Sequence, residues 1–174
     1  MKLKDGTDVT LRAYGGGDVT ELGTFLHTLP RHDLLFFRQD VADEDVLRGW
    51  LDVKSRETIA TVALLDGKIV GFAYVQRHNV PWTWHVGNIV AVVDPKLRNA
   101  GLGTQLLRAA IDNALVLGLE KLAARILIED RESVRVFEKL GFRHEGTLLD
   151  HAKDADGTLY DLAAMGLCLR EWQP

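Results

Sequence analysis

The segment Ile89-Val90-Ala91-Val92-Val93-Asp94-Pro95-Lys96-Leu97-Arg98-Asn99-Ala100-Gly101-Leu102-Gly103-Thr104 constrains the fold more than any other part of the chain. Its first residues, Ile89–Val93, are continuously apolar, as in a strand buried on both faces of a sheet. Pro95 cannot donate to a ladder and ends the strand. Gly101 and Gly103 lead straight into Leu102–Leu117, where Leu106, Ala110 and Ala114 share a face with Leu107, Ile111 and Leu115. The orphan N–H groups of that helix start lie beside two residues without a Cβ, an arrangement that binds phosphate through backbone and dipole. Arg98, Lys96 and Thr104 add charge and a hydroxyl. An ordinary strand-to-helix turn accounts for the glycines and the arginine equally well. A P-loop is excluded, because Gly-Leu-Gly-Thr lacks the Gly-Lys-[Ser/Thr] core, and a dinucleotide fingerprint fails where its third glycine would be Leu106.

The remaining pattern is mixed α/β. Asp8–Tyr14 alternates as a first strand, and Gly15-Gly16-Gly17 breaks it. Asp18, with Glu21 three residues on, predicts a capping box for a helix to about Leu29. A second helix is expected over about Asp43–Lys54. Thr58–Leu65 and Ile69–Arg77 form a hairpin about Asp66-Gly67, and His85–Val93 is the next strand. After the central helix, capped by Gly118, come a strand over Lys121–Ile128 and a helix over Glu132–Leu140. A closing hairpin joins Arg143–Asp150 to Leu159–Leu167 about Asp156-Gly157. No linker interrupts this order, so residues 1–174 read as one domain: a central mixed sheet of about seven strands flanked by about four helices.

Composition narrows the function. The net charge of −4 leaves no basic footprint for nucleic acid. No apolar run approaches membrane-spanning length, and the N-terminus lacks an apolar core of signal-peptide length. The single cysteine, Cys168, makes neither an internal disulfide nor a cysteine zinc site. His27, His32, His78, His144 and His151 are scattered, so no metal is expected. These features predict a cytoplasmic protein.

Two motifs together carry a family resemblance. Arg98-x-x-Gly101-x-Gly103 after an apolar strand ending in Asp94-Pro95 resembles the acetyl-CoA pyrophosphate loop of the GNAT superfamily of N-acetyltransferases. Asp130-Arg131-Glu132-Ser133-Val134-Arg135-Val136-Phe137-Glu138-Lys139-Leu140-Gly141-Phe142 resembles that superfamily's second landmark, Asn-x-x-Ala-x-x-x-Tyr-x-x-x-Gly-Phe. The similarity extends over roughly residues 8–168 in element order, and the closing hairpin is similar to that of members acting on small amines or amino acids. The resemblance implies acetyl-CoA as co-substrate. Backbone groups of Ala91, Val92 and Val93 would hold the pantetheine arm as an added strand. Amides of Asn99, Ala100, Gly101, Leu102, Gly103 and Thr104, with Arg98, would hold the pyrophosphate. Asp130 takes the place of an Asn that contacts the cofactor arm; it keeps an acceptor and loses an amide donor.

The chemistry departs from the family in two places. Phe137 stands where many members carry a Tyr general acid, and Ile89 stands near a strand Glu that serves some members as base. A backbone N–H near Val92 is then expected to polarise the carbonyl. His85, which shares strand parity with Ile89, and Glu129 are candidate bases, each also readable as a solvated side chain. Phe36, Phe37 and Arg38, between the first two helices, are candidate acceptor-binding residues, and Pro81-Trp82-Thr83-Trp84 is a second candidate wall or a homodimer contact. Met165 and Cys168 read as core. The expected function is transfer of an acetyl group to a primary amine of a small molecule or amino acid. The alternatives are a non-catalytic acyl-CoA sensor and a protein N-terminal acetyltransferase.

Overall fold

The computed structural model describes residues 1–35, 37, 43–49 and 57–172. Its strands are β1 (Thr10–Ala13), β2 (Thr58–Leu65), β3 (Lys68–Arg77), β4 (Val86–Val93), β5 (Lys121–Leu127), β6 (Arg143–Lys153) and β7 (Leu159–Cys168). Its helices are α1 (Val19–Thr28), α2 (Arg31–Leu34), α3 (Glu44–Gly49), α4 (Leu102–Val116) and α5 (Arg131–Lys139). The seven strands form one sheet in the order β1-β2-β3-β4-β5-β7-β6. All neighbours are antiparallel except β4 and β5. That parallel pair is joined by a crossover through the glycine loop and α4.

Two apolar clusters cover the sheet. On the back face α4 contributes Leu102, Leu106, Leu107, Ala110, Ile111 and Ala114, and α5 contributes Phe137. On the front face α1 and α3 bring Leu22, Leu26 and Leu47 against Phe72, Tyr74, Val90 and Val92. Gly71 on β3 lets α4 lie close: a Cβ there would sit 2.8 Å from Leu106 Cδ1. The β2–β3 turn has left-handed backbone at both Asp66 (φ 50°) and Gly67 (φ 78°), which suits the twist of a two-residue hairpin. No helix among the described residues is long and apolar enough to cross a membrane.

Several local expectations change. Among the described residues five helices stand where about four were expected; α2 is a single turn after Pro30 with too few residues to show an apolar period. The capping box at α1 does not form. Asp18 instead accepts from Arg12 Nη1 and Nη2, both at 2.6 Å, and from the Gly15 amide at 2.8 Å. Glu21 turns away from the helix start and accepts from the Ile69 amide at 2.8 Å. A charged partner across the chain and a buried strand amide outcompete the local cap. Beyond Gly49 the expected second helix runs into residues outside the described ones. Cys168, expected in the core, is exposed at the end of β7, whereas Met165 is fully buried.

Candidate functional site: a gap in the sheet and the start of α4

Strands β4 and β5 pair only over Val86, Gly87 and Asn88 with Lys121, Leu122 and Ala123. Beyond that point β4 stays paired with β3 as far as Val93, and β5 with β7 as far as Leu127. The sheet therefore opens from within, and each strand presents an unpaired edge to the other. Gly87 keeps the lower part closed, since a Cβ there would sit 2.5 Å from Leu119 Cδ1 and 3.1 Å from Val75 Cγ2.

The ladder shows which backbone groups line the opening. The His78 amide donates to Val86 at one end of the β3–β4 pairing, and the Asp94 amide donates to Val70 at the other. No register shift intervenes. Antiparallel bonding alternates, so Val86, Asn88, Val90, Val92 and Asp94 turn their backbone groups to β3. The odd-numbered residues turn to β5: the His85 carbonyl accepts from Lys121, the Ile89 N–H makes the last bond, to the Ala123 carbonyl, and the groups of Ala91 and Val93 face the open gap. This corrects the expectation for Val92. Its N–H belongs to the β3 ladder, and the free donors are its odd-numbered neighbours. On β5 the same reasoning, from Ile128 donating to Asp161 and Leu169 donating to Glu120, turns Arg125 and Leu127 toward the gap.

The gap opens toward the glycine loop. The Asp94 carboxylate accepts from the Lys96 amide at 2.8 Å and rounds off the turn. Asn99 (φ 63°) and Gly101 (φ 92°) are left-handed, and Gly101 is the residue before α4. None of the amides from Asn99 to Thr104 reaches an acceptor among the described residues. A Cβ at Gly103 would meet only Val93 Cγ2, at 3.7 Å. A run of free donors at a helix N-terminus with space above it fits a phosphate, and the open β4 edge below it fits an extended amide-bearing chain.

The expected side chains divide. Arg98 pairs with the Asp33 carboxylate, tying the loop to α2. Asp130 caps α5, accepting from the Ser133 amide at 3.0 Å, so its carboxylate holds a helix rather than standing free. His85 is exposed at the closed end, three residues before the last paired position and about 13 Å along the strand from Ile89. It is separated from the opening, because shared parity fixes a face and not a height. Glu129 is exposed just past β5, at the open end. Ile89 is 2% exposed among back-face core residues. Phe137 packs edge-to-face on Phe142, ring centroids 4.9 Å apart, in the same cluster. Phe37 lies 5.8 Å from the Tyr74 ring on the front face, while Phe36 and Arg38 lie outside the described residues. Trp82 and Trp84 are on the β3–β4 connection, at the end of the sheet away from the loop, with Arg77 stacked on Trp84. They do not wall the gap.

One residue at the site was passed over in the sequence. Asn88 is the last β4 position paired with β5, is half-buried, and by parity with Val90 and Val92 faces the front of the sheet at the vertex of the gap. Its signal was a polar residue entering an apolar strand, which becomes informative only once the vertex is located.

Residues 24–142 match the acetyltransferase (GNAT) family. The chain belongs to that family. It is 29% identical over 89 residues to the L-amino acid N-acetyltransferase AaaT of Escherichia coli, covering 49% of this chain and 54% of that protein. The chain thus spans about half the length of the curated relatives it matches. Among solved structures, a GNAT-family acetyltransferase of Streptococcus pneumoniae superposes with a TM-score of 0.79 at 26% identity, covering 92% of this chain and 99% of that one. YncA of Salmonella typhimurium, solved with its cofactor acetyl-CoA, superposes with a TM-score of 0.81 at 22% identity, covering 97% and 98%.

Proposed function

We propose that the protein is an acetyl-CoA-dependent N-acetyltransferase acting on a primary amine of a small molecule or amino acid. The observation that carries this reading is the continuity of free donors from Ala91 and Val93 on β4 to the amides of Asn99–Thr104 at α4. In this reading those loop amides hold the pyrophosphate and the β4 edge holds the pantetheine arm. Acetyl-CoA supplies the acetyl thioester.

The protein's share of the chemistry is positioning and polarisation. A backbone N–H on the gap edge of β4 donates to the carbonyl oxygen as negative charge develops there. Holding two reactants in one cleft contributes on the order of 7–11 kcal/mol in favourable cases. Neither Phe137 nor Ile89 exchanges a proton, and the acceptor amine is bound in its neutral form or loses its proton to water or to Glu129 at the mouth. The small-molecule acceptor is favoured by the named activity of the Escherichia coli relative.

The test is release of free thiol from acetyl-CoA across a panel of amino acids and small amines, with Gly103→Asp as control. Turnover with a primary amine, lost in the control through like charge and bulk at the loop, supports the reading. Tight acetyl-CoA binding with no turnover on any amine would support a second reading, a non-catalytic acyl-CoA sensor. The observation favouring that one is the burial of Phe137 and Ile89 where the family carries acid and base.

A further inference from the structure

We propose that Lys4, delivered by an N-terminal hairpin, is part of the phosphate site at the start of α4. The inference rests on the reading that this loop binds CoA.

The hairpin is a built element. Lys2 and Asp8 pair as a bridge. Leu3 donates to Thr7 at 2.8 Å, Gly6 to Leu3 at 3.0 Å and Val9 to Met1 at 2.9 Å. Leu3 anchors it in the back-face cluster alongside Ala100 and Leu102. Next to that anchor, the Lys4 amide donates to the Ala100 carbonyl at 3.0 Å. The Lys4 side chain then runs flat along Gly101: a Cβ on that glycine would lie 3.8 Å from Lys4 Cγ, 3.9 Å from Cδ and 3.7 Å from Cε. The hairpin and the loop are thus docked through backbone and stem, and the stem ends beside the left-handed residue that opens α4.

Two electrostatic facts give this placement a meaning. Among the described residues Lys4 has no acidic partner, whereas Arg98, the cation the sequence assigns to the phosphates, is paired with Asp33. A lysine beside a helix N-terminus also sits at the positive end of the dipole, where a cation is unfavourable by itself. A polyanion at the loop reverses that sign, since ammonium and helix dipole then act on the same charge. The protein holds this lysine against the loop from a segment remote in sequence, and a phosphate ester is the ligand that makes the arrangement favourable.

The experiment measures Kd by calorimetry at low ionic strength for CoA and for dephospho-CoA, with wild type, Lys4→Met and Lys4→Arg. Methionine keeps the stem over Gly101 and removes the charge. Lys4→Met is expected to weaken CoA about five- to twentyfold, between the effect of an exposed ion pair and that of a charge-assisted hydrogen bond. Lys4→Arg is expected to stay near wild type, and the loss in Lys4→Met to shrink as salt is added. A loss shared by both ligands places Lys4 on the pyrophosphate; a loss confined to CoA places it on the 3′-phosphate. Unligated melting temperatures check that the hairpin stays docked. Wild-type affinity in Lys4→Met would overturn the proposal and leave the loop assignment standing. Failure of the wild type to bind CoA would remove the loop assignment and this proposal together.

Discussion

At the scale of single residues, Phe137 and His85 mark the limits of motif transfer. Phe137 lies in the back-face core, edge-to-face with Phe142. A hydroxyl added there meets apolar neighbours, and leaving it unpaired costs about 1–3 kcal/mol of stability. Phe137→Tyr is therefore expected to lower the melting temperature and to change the steady-state rate at saturating amine by less than about tenfold, roughly 1.4 kcal/mol in barrier. A gain of a hundredfold or more would identify an impaired transferase waiting for its acid. His85 sits at the closed end of β4, with its backbone carbonyl bonded to the Glu120 and Lys121 amides. His85→Ala should leave kcat and its pH profile within about twofold of wild type, well inside the 10²–10⁴ expected for a general base. A drop of that larger size would return His85 to the site. The sequence showed the parity of His85 correctly; it held nothing about where the strands separate.

At the scale of elements, the alternation of β4 makes a sharp distinction between adjacent residues. The Ala91 N–H faces the gap and the Val92 N–H faces β3. Ala91→Pro removes a free donor and no ladder bond, so it is expected to fold and to bind acetyl-CoA at least about tenfold more weakly, the cost of one charge-assisted or well-oriented bond and some lost fit. Val92→Pro breaks the β3 ladder in the centre of the sheet and is expected to unfold the protein. Equal, tight acetyl-CoA binding by Ala91→Pro and wild type, measured by calorimetry, would contradict the edge assignment. A second element-scale test concerns the join between β1 and α1. The Arg12 guanidinium holds the Asp18 carboxyl below the usual range, with the Gly15 amide assisting. A depressed carboxyl pKa contributes stability that is fully present above the unfolded value near 3.9 and is lost as pH falls through the lower folded value. Asp18→Asn should thus cost about 1–3 kcal/mol at neutral pH and less at a pH below the lowered folded value. Chemical denaturation at both pH values checks the sign; a cost independent of pH would refute the charge argument. The expected capping box failed at this same residue, because sequence spacing registers a local acceptor but not a distant arginine.

At the scale of the whole molecule, the elements that carry a period or a turn signal were legible. The apolar run into β4, the glycine loop, the face of α4 and the Asp66-Gly67 hairpin each impose one local answer. The gap itself was not legible, since it is an absence of pairing between strands that each read as ordinary. The N-terminal hairpin was missed for a related reason: Lys2 to Asp8 has little apolar alternation, and its docking depends on Leu3 reaching a core assembled a hundred residues later. The central claim is that one continuous line of backbone donors, from the β4 edge to the start of α4, receives the CoA moiety. Residue-resolved amide hydrogen exchange with and without CoA tests it most directly. The account predicts new protection at Ala91, Val93 and the amides of Asn99–Thr104, with little change at Ile89, which β5 already protects, and at Val90 and Val92, which the β3 ladder already protects. Protection confined to the Trp82–Trp84 end of the sheet, or none on β4 at saturating CoA, would contradict it.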